Sequence, residues 1–282
     1  MLKLKTLDTF NYSAESDINN QLRLFLPDSS ESRRLFSRSL PMFSKKTIQR
    51  WKKYIGNLFR IPTNGNSYEL ILPNGKVKRY PRIPGLKVAF HGVNSKVRIY
   101  APVRFENSKI ILNDNSECII GSTGRRLKIR NLNIVRTSNL SLTIGEKTSI
   151  SGMTVNAFDK QNASIRIGKH CMFSYDINIF TSDGHTIYEQ ETGKITNRQP
   201  CRITIGDHVW VGWHVTLLKN AVIASDSIVG AASLVTGEFQ ELNSLIAGTP
   251  AKLIRKGINW DRTSVTEFGE FHDPERSRYK DE

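Results

Sequence analysis

Two side chains in a polar stretch of the sequence, His185 and Asp183, have the types and spacing of a general base and its partner. An imidazole whose pKa stays near its ordinary value of about 6.5 can accept a proton from a hydroxyl at neutral pH. A carboxylate two positions away, or a backbone carbonyl, can orient the ring and select its tautomer. A lone histidine in a loop is otherwise an ordinary solvated side chain. His185 is therefore a candidate proton acceptor that needs a positioning scaffold.

An aliphatic residue recurs at every sixth position in the C-terminal half of the chain, at Ile205, Val211, Leu217, Ile223, Val229 and Val235. A six-residue unit is too short for a helix, whereas three such units make one turn of a parallel β-helix. The aliphatic side chains then point into a narrow prism, and glycine or another small residue is expected at each corner, where the backbone bends sharply. The sequence therefore predicts an all-β fold built as a three-walled column.

The same period continues upstream with offsets. Ile167 precedes Ile205 by more than one coil of three six-residue units, and the excess fits an inserted loop of about 20 residues. The polar segment at about 183–202 lacks the period and is predicted to be that inserted loop. Residues 86–143 carry short aliphatic pairs without a clean register, and they are predicted to be less regular coils of the same prism.

Three domains follow from these patterns: an N-terminal extension at 1–85, the β-helix at 86–257 and a C-terminal tail at 258–282. In the extension, two β-prone runs flank Asn74-Gly75 and predict a hairpin. Residues 44–59 form a basic amphipathic pattern that would cap the open end of the prism or rest on an anionic membrane. The tail holds seven acidic and four basic residues, and it would cross a neighbouring subunit or stay loose.

The composition indicates an anionic partner and a reducing compartment. Among 282 residues the net charge is +15, which favours anionic ligands without identifying them. Three cysteines (Cys118, Cys171, Cys201) form no C-x-x-C pair and no disulfide framework. The N-terminal residues lack the apolar region of a signal peptide, and no apolar run approaches the length of a membrane span. We expect a cytoplasmic protein, with the inner face of the membrane as a second option.

Two further histidines, His170 and His208, each follow an aliphatic residue of the repeat by three positions. They are expected to stack in adjacent coils and point outward. A zinc site needs three protein ligands, and no third histidine follows at the matching spacing, so no metal site is predicted. His208 and His214 are expected to be outward wall residues, with the acceptor groove as a lesser alternative.

Two tryptophans, Trp210 and Trp213, flank Val211-Gly212. Val211 occupies the inward position of the repeat, so both indoles should point away from the core, where large apolar side chains are unusual. A flat aromatic ring there can stack on a sugar or pack against another subunit. The residues alone leave both roles open.

The C-terminal part of the repeat region reads ITIGDHVWVGWHVTLLKNAVIASDSIVGAASLVTGEF, followed by SLIAGTPAKLIRK. This stretch closely resembles the signature of the hexapeptide-repeat acyltransferases, in the branch of O-acetyltransferases that act on galactosides, nodulation factors and surface polysaccharides. The matching region spans about residues 140–257. The resemblance implies a left-handed parallel β-helix, a homotrimer, and acetyl-CoA in the groove between adjacent prisms. The chain departs from the family pattern at Asn220, Ala224 and Gly237.

The resemblance also implies roles for individual residues. It makes His185 the catalytic base and places Trp210 in the groove. Asp183 as the partner of His185, and Trp213 as a second substrate contact, are predictions from their positions in the sequence. Gly212, Ala231 and Ala232 would let the pantetheine arm run along the coil, with a backbone N–H as oxyanion donor. The basic residues Lys252, Arg255 and Lys256 would face the phosphates of the coenzyme.

The expected function is therefore acetyl transfer from acetyl-CoA to a hydroxyl of a glycan, with an acidic surface polysaccharide favoured by the net charge. One alternative is a small acceptor such as an antibiotic, an amino sugar or serine. A second is a basic binding module without catalysis, for nucleic acid or a membrane. Such a module explains the charge and residues 44–59, but not the GTPAK and WVGW motifs, so no nucleic-acid partner is predicted.

Overall fold

A computed structural model of the chain describes residues 64–157, 162–198 and 200–267. The pattern at 44–59 lies outside these residues, and so does the tail beyond residue 267. Within the described residues the regular structure is almost entirely β, apart from a short 3-10 turn at Val265–Glu267. No helix among them has the length and apolar character needed to span a membrane.

The strands are short and follow one another closely. In chain order they are β1 (Ser67–Ile71), β2 (Val77–Arg79), β3 (Leu86–Phe90), β4 (Lys96–Tyr100), β5 (Phe105–Glu106), β6 (Ser108–Leu112), β7 (Glu117–Ile120), β8 (Ile129–Arg130), β9 (Leu132–Thr137), β10 (Leu140–Ile144), β11 (Ser149–Ile150) and β12 (Met153–Asn156). They continue with β13 (Ala163–Ile167), β14 (Met172–Phe173), β15 (Ile177–Phe180), β16 (Cys201–Ile205), β17 (Trp210–Val211), β18 (Thr216–Leu217), β19 (Val222–Ile223), β20 (Ile228–Val229), β21 (Leu234–Val235), β22 (Glu238–Phe239), β23 (Ser244–Gly248) and β24 (Ala251–Lys256).

Three sheets form the walls of a prism. The first sheet has the order β2-β1-β4-β7-β10-β13-β16-β19-β22, the second β24-β23-β20-β17-β14-β11-β8-β5, and the third β21-β18-β15-β12-β9-β6-β3. From β3 to β23, consecutive strands lie in different sheets, and each strand pairs in parallel with the strand one coil away. The predicted three-walled parallel column is therefore confirmed.

The aliphatic ladder fills the interior of the column. Ile205 pairs with Ile223, Val211 with Val229 and Leu217 with Val235, so that three six-residue units separate the members of each pair. All six side chains are at most 1% exposed. Burial of such side chains removes apolar surface from water, at about 25 cal/mol per Å², and this is what holds the three walls together.

The upstream coils belong to the same column with longer turns, as predicted. Ile144 pairs with Ile167, Ile120 with Ile144 and Ile99 with Ile120, so each of these coils contains more chain than three six-residue units. Their inward side chains are as well buried as those of the regular coils. Ile167 pairs with Ile205, and the extra residues of that coil form one loop, 181–200, between β15 and β16.

The prediction that small residues allow the corners to bend is wrong for the regular coils. The left-handed backbone conformation falls three positions after five of the six aliphatics, for example at His208 (φ 53°), Asn220 (φ 65°) and Asp226 (φ 58°). Asn, Asp and His tolerate this region better than most side chains. Gly206 is small for another reason, because a Cβ there would lie 2.5 Å from the backbone nitrogen of Ser225 in the next coil.

The predicted hairpin is confirmed. β1 and β2 are antiparallel, with Ile71 opposite Val77, and Gly75 adopts a φ of 76° in the turn between them. β1 also pairs in parallel with β4, so the hairpin extends the first sheet by two strands. The domain boundary at residue 85 stays a prediction.

Candidate active site

The prism has three edges, and the candidate residues are distributed among them. The loop edge, between the third and first sheets, carries the loop 181–200. The tail edge, between the first and second sheets, carries His170 and His208. The tryptophan edge, between the second and third sheets, carries Trp213 and Ala232.

The loop that carries His185 is held in place by contacts of its own and by one contact to the prism. Tyr188 and Ile195 form an antiparallel bridge within it. The Asn197 side-chain amide donates hydrogen bonds to the backbone oxygen of His185 (2.7 Å) and to Oδ2 of Asp183 (2.9 Å). The Asp183 carboxylate also pairs with Nζ of Lys219, at the same edge of the next coil. Asn197 and Lys219 were not anticipated from the sequence, because both partners lie far from His185 along the chain.

These contacts give Asp183 an observed role as a loop anchor. Hydrogen bonds from Lys219 and then from Asn197 lower the pKa of its carboxyl group. A lowered pKa in the folded state contributes stability above the ordinary pKa of the carboxyl group, and this contribution is lost as the pH falls through the lowered value. The role of Asp183 as partner of the His185 ring stays a prediction; its observed link to His185 runs through Asn197.

The His185 imidazole is exposed to solvent. Within the described part of the chain, no side chain or backbone group forms a hydrogen bond with the ring. The backbone of His185 is fixed by Asn197, while both ring nitrogens remain available. This is the arrangement that a proton acceptor needs if its substrate is to approach from outside the prism.

Some of the residues that were predicted to contact the donor, Ala232 among them, lie at the tryptophan edge. Ala232 donates its backbone N–H to the carbonyl of Trp213 (2.7 Å), and Thr249 of the GTPAK turn donates its hydroxyl to the carbonyl of Ala232 (3.1 Å). Trp213 is 54% exposed and meets the ring of Tyr175 edge-on at 5.4 Å. Small residues therefore lie beside an exposed indole along this edge.

Gly212 has a packing function at this edge. A Cβ on Gly212 would lie 2.7 Å from the backbone nitrogen of Ala231 in the next coil, so no other residue fits without moving a coil. Ala231 and Ala232 are both exposed, which leaves the edge free of large side chains in that coil. The tryptophan edge is therefore compatible with a slender ligand bound along it.

The two tryptophans are directed to different edges. Trp210 begins β17, lies toward the tail edge and is 36% exposed, with its ring 6.1 Å from that of Trp260. Trp213 follows β17 at the opposite end of the strand. A shared sugar platform built from both indoles is not observed in the single chain, and the separate substrate roles of Trp210 and Trp213 stay predictions.

The tail edge is covered by the tail itself. The Trp260 ring stacks on His208 at 4.4 Å and 10°, and its Nε1 donates to the His208 carbonyl (2.9 Å). Arg262 donates to Oγ of Ser149 and to the carbonyl of Cys171, both at 2.7 Å. The tail was expected to cross a neighbouring subunit or stay loose, and this is corrected for residues 258–262, which pack on their own prism.

His208 lies outside the prism as predicted, but it is not an open wall residue, since it is only 6% exposed. Trp260 covers the ring, and Nδ1 lies 3.1 Å from Oδ1 of Asp226. A tryptophan in a polar, highly charged tail was the signal in the sequence that could have predicted this contact. His214 does face solvent, with Nδ1 3.6 Å from Oδ2 of Asp176.

His170 stacks below His208 at the same edge. Burial lowers the pKa of His170 most, and the nearby Lys147 and His208 lower it further, which favours the neutral ring. The described residues contain no cluster of three His, Cys, Asp or Glu side chains that could hold a metal ion.

The predicted coenzyme-binding cations lie along β24, all of them exposed. Lys252 pairs in register with Ala247, close to the tryptophan edge, whereas Arg255 pairs with Leu245 and Lys256 with Ser244, toward the tail edge. Lys256 also forms an ion pair with Glu241 (2.9 Å). Because an extended strand rises about 3.3 Å per residue, these three cations make a line rather than one cluster, and Lys252 is the one nearest Trp213.

Comparison with known proteins agrees with this geometry. No protein-family model matches the chain. The polysialic acid O-acetyltransferase of Neisseria meningitidis is 33% identical over 169 residues, which are 55% of this chain and 76% of that protein. The chain belongs to the hexapeptide-repeat acyltransferases, in the polysaccharide O-acetyltransferase branch. The polysialic acid O-acetyltransferase of Escherichia coli O1:K1 is 32% identical over 135 residues, 48% of this chain but only 43% of the relative.

Solved structures of this branch share the fold. The polySia-specific acetyltransferase NeuO superimposes with a TM-score of 0.59 at 30% identity, over 72% of this chain and 87% of that chain. The polysialic acid O-acetyltransferase OatWY superimposes with a TM-score of 0.51 at 26% identity, over 71% and 92%. The expected left-handed parallel β-helix is therefore confirmed.

Proposed function

We propose that this hexapeptide-repeat acyltransferase transfers an acetyl group from acetyl-CoA to a hydroxyl group of an acidic capsule-type glycan, with His185 as general base. The observation that carries the proposal is the exposed His185 ring on an anchored loop. It occurs in a chain that is 33% identical to a polysialic acid O-acetyltransferase. A glycan hydroxyl is a weak nucleophile at neutral pH, so a positioned base is the main chemical requirement.

His185 performs the proton transfers of the reaction. Its free ring nitrogen accepts the proton of the glycan hydroxyl as the oxygen attacks the acetyl carbonyl. The imidazolium then returns this proton to the departing sulfur, so the products are the acetyl ester and the free thiol, and the histidine is neutral again. Acetyl-CoA supplies the activated acyl group as a thioester. Asp183 holds the loop through Asn197 and Lys219, which keeps His185 in place for both transfers.

The tryptophan edge is the proposed donor site. Its small residues Gly212, Ala231 and Ala232 leave space for the pantetheine arm. The backbone N–H of Ala232 is already donated to Trp213, so the N–H of Ala231 is the proposed oxyanion donor. Lys252 is placed to meet a phosphate beside this edge, and Arg255 and Lys256 extend the positive charge along β24.

Because His185 and Trp213 lie on different edges of one prism, we infer that the active unit is a homotrimer. The loop edge of one subunit would then face the tryptophan edge of the next, and each active site would take its base from one chain and its donor site from another. Exposed Trp213 and Tyr175, 54% and 42% exposed, supply apolar surface for such packing.

The net charge of +15 favours an anionic acceptor, since it raises the local concentration of a polyanion. The proposed location is the cytoplasm, where the donor is made. Contact with the membrane through residues 44–59 stays a prediction, because these residues lie outside the described structure.

The test measures thiol release from acetyl-CoA with a sialic-acid polymer and with a neutral polymer as acceptors. His185→Ala should lower turnover by about 10²- to 10⁴-fold, the usual contribution of a general base. His91→Ala is the matched control, since His91 is also exposed but lies on a distant coil. A mass increase of one acetyl group on the glycan confirms the product. Turnover that survives in His185→Ala would refute the mechanism, and equal rates on both polymers would refute the acidic acceptor.

A further inference from the structure

A shallow groove, lined by polar side chains together with the apolar Leu140 and Ala163, runs along the starts of the strands of the first sheet, beginning at the base of the loop that carries His185. The residues that line it include Pro200 and Arg202 at the loop end, Ser164, Ser141 and Asn139 in the middle, and Glu117 at the far end. The chain returns from the loop into β16 next to Pro200. The groove therefore leads away from the loop that carries His185 and crosses the coils that precede this loop in the chain.

The groove is built by the register of four parallel strands. Arg202 pairs with Ser164, Ser164 with Ser141, and Ser141 with Glu117. Side chains alternate across a strand, so these residues point outward while their neighbours point into the core. Adjacent strands lie about 4.8 Å apart, so the line from Arg202 to Glu117 extends about 14 Å, more than the length of one sugar ring.

The charges along the groove are unequal. The Arg202 side chain is exposed and forms no ion pair with any residue that the structure describes. At the other end, Glu117 forms an ion pair with Arg98 (3.8 Å), which also approaches Glu69 (3.6 Å). The end next to the loop is therefore positive, and the negative charge at the far end is partly balanced.

We propose that this groove binds the part of an acidic glycan chain that flanks the sugar being acetylated. The proposal rests on the proposed function. The planar guanidinium of Arg202 matches the geometry of a sugar carboxylate, and the hydroxyls of Ser164 and Ser141 can exchange hydrogen bonds with sugar hydroxyls. A nucleic acid is less suited, because the described residues that line the groove include one cation and no aromatic ring, which offers neither a phosphate track nor a stacking platform.

Binding is tested without turnover, by fluorescence anisotropy of a labelled long oligosialic acid added to the His185→Ala protein in the absence of donor. Adding Arg202→Gln should weaken binding about tenfold, in the range expected for a charge-assisted hydrogen bond. Arg125→Gln is the matched control, because Arg125 is also exposed but lies outside the groove. Ser164→Trp, at an exposed position, should also weaken binding by filling the groove.

The kinetic readout is the preference for long over short oligosialic acid as acceptor, measured as the ratio of kcat/KM values in the protein with His185. Arg202→Gln should reduce this preference through KM for the long acceptor, and Arg125→Gln should leave it unchanged. Equal effects of the two arginine variants, or a single-stranded oligonucleotide that binds as tightly as the glycan, would overturn the inference. Acetylation of the polymer without any effect of Arg202→Gln would refute only the groove, whereas a lack of acetylation of any glycan would refute the proposed function.

Discussion

The coils before and after the loop that carries His185 pack the same core with different amounts of chain. After the loop, paired aliphatic residues are three six-residue units apart, as with Ile205 and Ile223. Before it, the coil from Ile120 to Ile144 contains the length of four such units. Yet Ile120, Ile144, Ile205 and Ile223 are all at most 1% exposed. The walls therefore keep the same geometry, and the extra residues are accommodated between the strands.

The extra residues of the earlier coils are stabilised by hydrogen bonds between corners. Asn107 donates to the side chain of Asn131 (2.8 Å), and Asn131 donates to the carbonyl of Ser151 (3.0 Å). Asn107 and Asn131 both adopt a left-handed conformation, with φ of 45° and 46°. Polar residues in the left-handed conformation therefore occur at corners of both regular and irregular coils, and the coils differ in how many residues surround these corners.

Two buried cysteines, one in an early coil and one in the coil that leads into the loop, test whether the earlier coils open together, and this test has the largest expected effect. Burial raises the pKa of Cys118, before the loop, and of Cys171, in the coil that ends in the loop, to about 12 from 9.0. The reactive thiolate is therefore about a thousandfold scarcer than in an open thiol. We expect thiol labelling at pH 8 to follow unfolding, with equal rates at both sites.

Variants that keep one cysteine at a time provide the control for this labelling experiment. Faster labelling of Cys118 than of Cys171 would show that the early coils open independently of the coil that leads into the loop. Such a result would contradict the conclusion that these coils form one equally packed core.

A matched pair of leucines tests whether coil regularity affects core energetics. Leu142 lies in an irregular coil and Leu217 in a regular one, and both are 0% exposed. Replacing either with alanine should lower the free energy of unfolding by about 2–5 kcal/mol, because each change leaves a cavity in the same narrow core. Urea unfolding measures both. A cost for Leu142→Ala that is much smaller than for Leu217→Ala would mean that the longer coils relax around a cavity.

A matched pair of glycines tests the spacing between coils, with a smaller expected effect. Gly206→Ala places a Cβ 2.5 Å from the backbone of Ser225, whereas a Cβ on Gly237 would have no atom within 4 Å. Gly206→Ala should cost about 1–3 kcal/mol through overpacking. Gly237→Ala should be neutral, or stabilise by up to about 1 kcal/mol through lower entropy of the unfolded chain. Thermal unfolding of the two variants measures the difference, and equal midpoints would contradict the packing role of Gly206.

Much of the candidate site was predictable because it depends on short-range pattern. The loop of His185 was predicted from a polar break in the repeat, and its length followed from the register of Ile167 and Ile205. The candidate role of His185 within it came from the family resemblance. The partners that hold it were not predictable, since Lys219 belongs to the following coil and Asn197 to the other end of the loop. The cover over His208 was missed for the same reason, because Trp260 is 52 residues away.

The amino-acid sequence determined the three-sheet architecture of this protein. Ile, Leu and Val recur at every sixth position, and these side chains are buried only if the chain coils around them. The sequence also determined that a polar loop interrupts the column. Only the tertiary structure decided which residues share an edge, because this depends on the number of residues in each turn between strands. That count places His185 on one edge and Trp213 on another, and it aligns Arg202, Ser164 and Ser141 beside the base of the loop that carries His185.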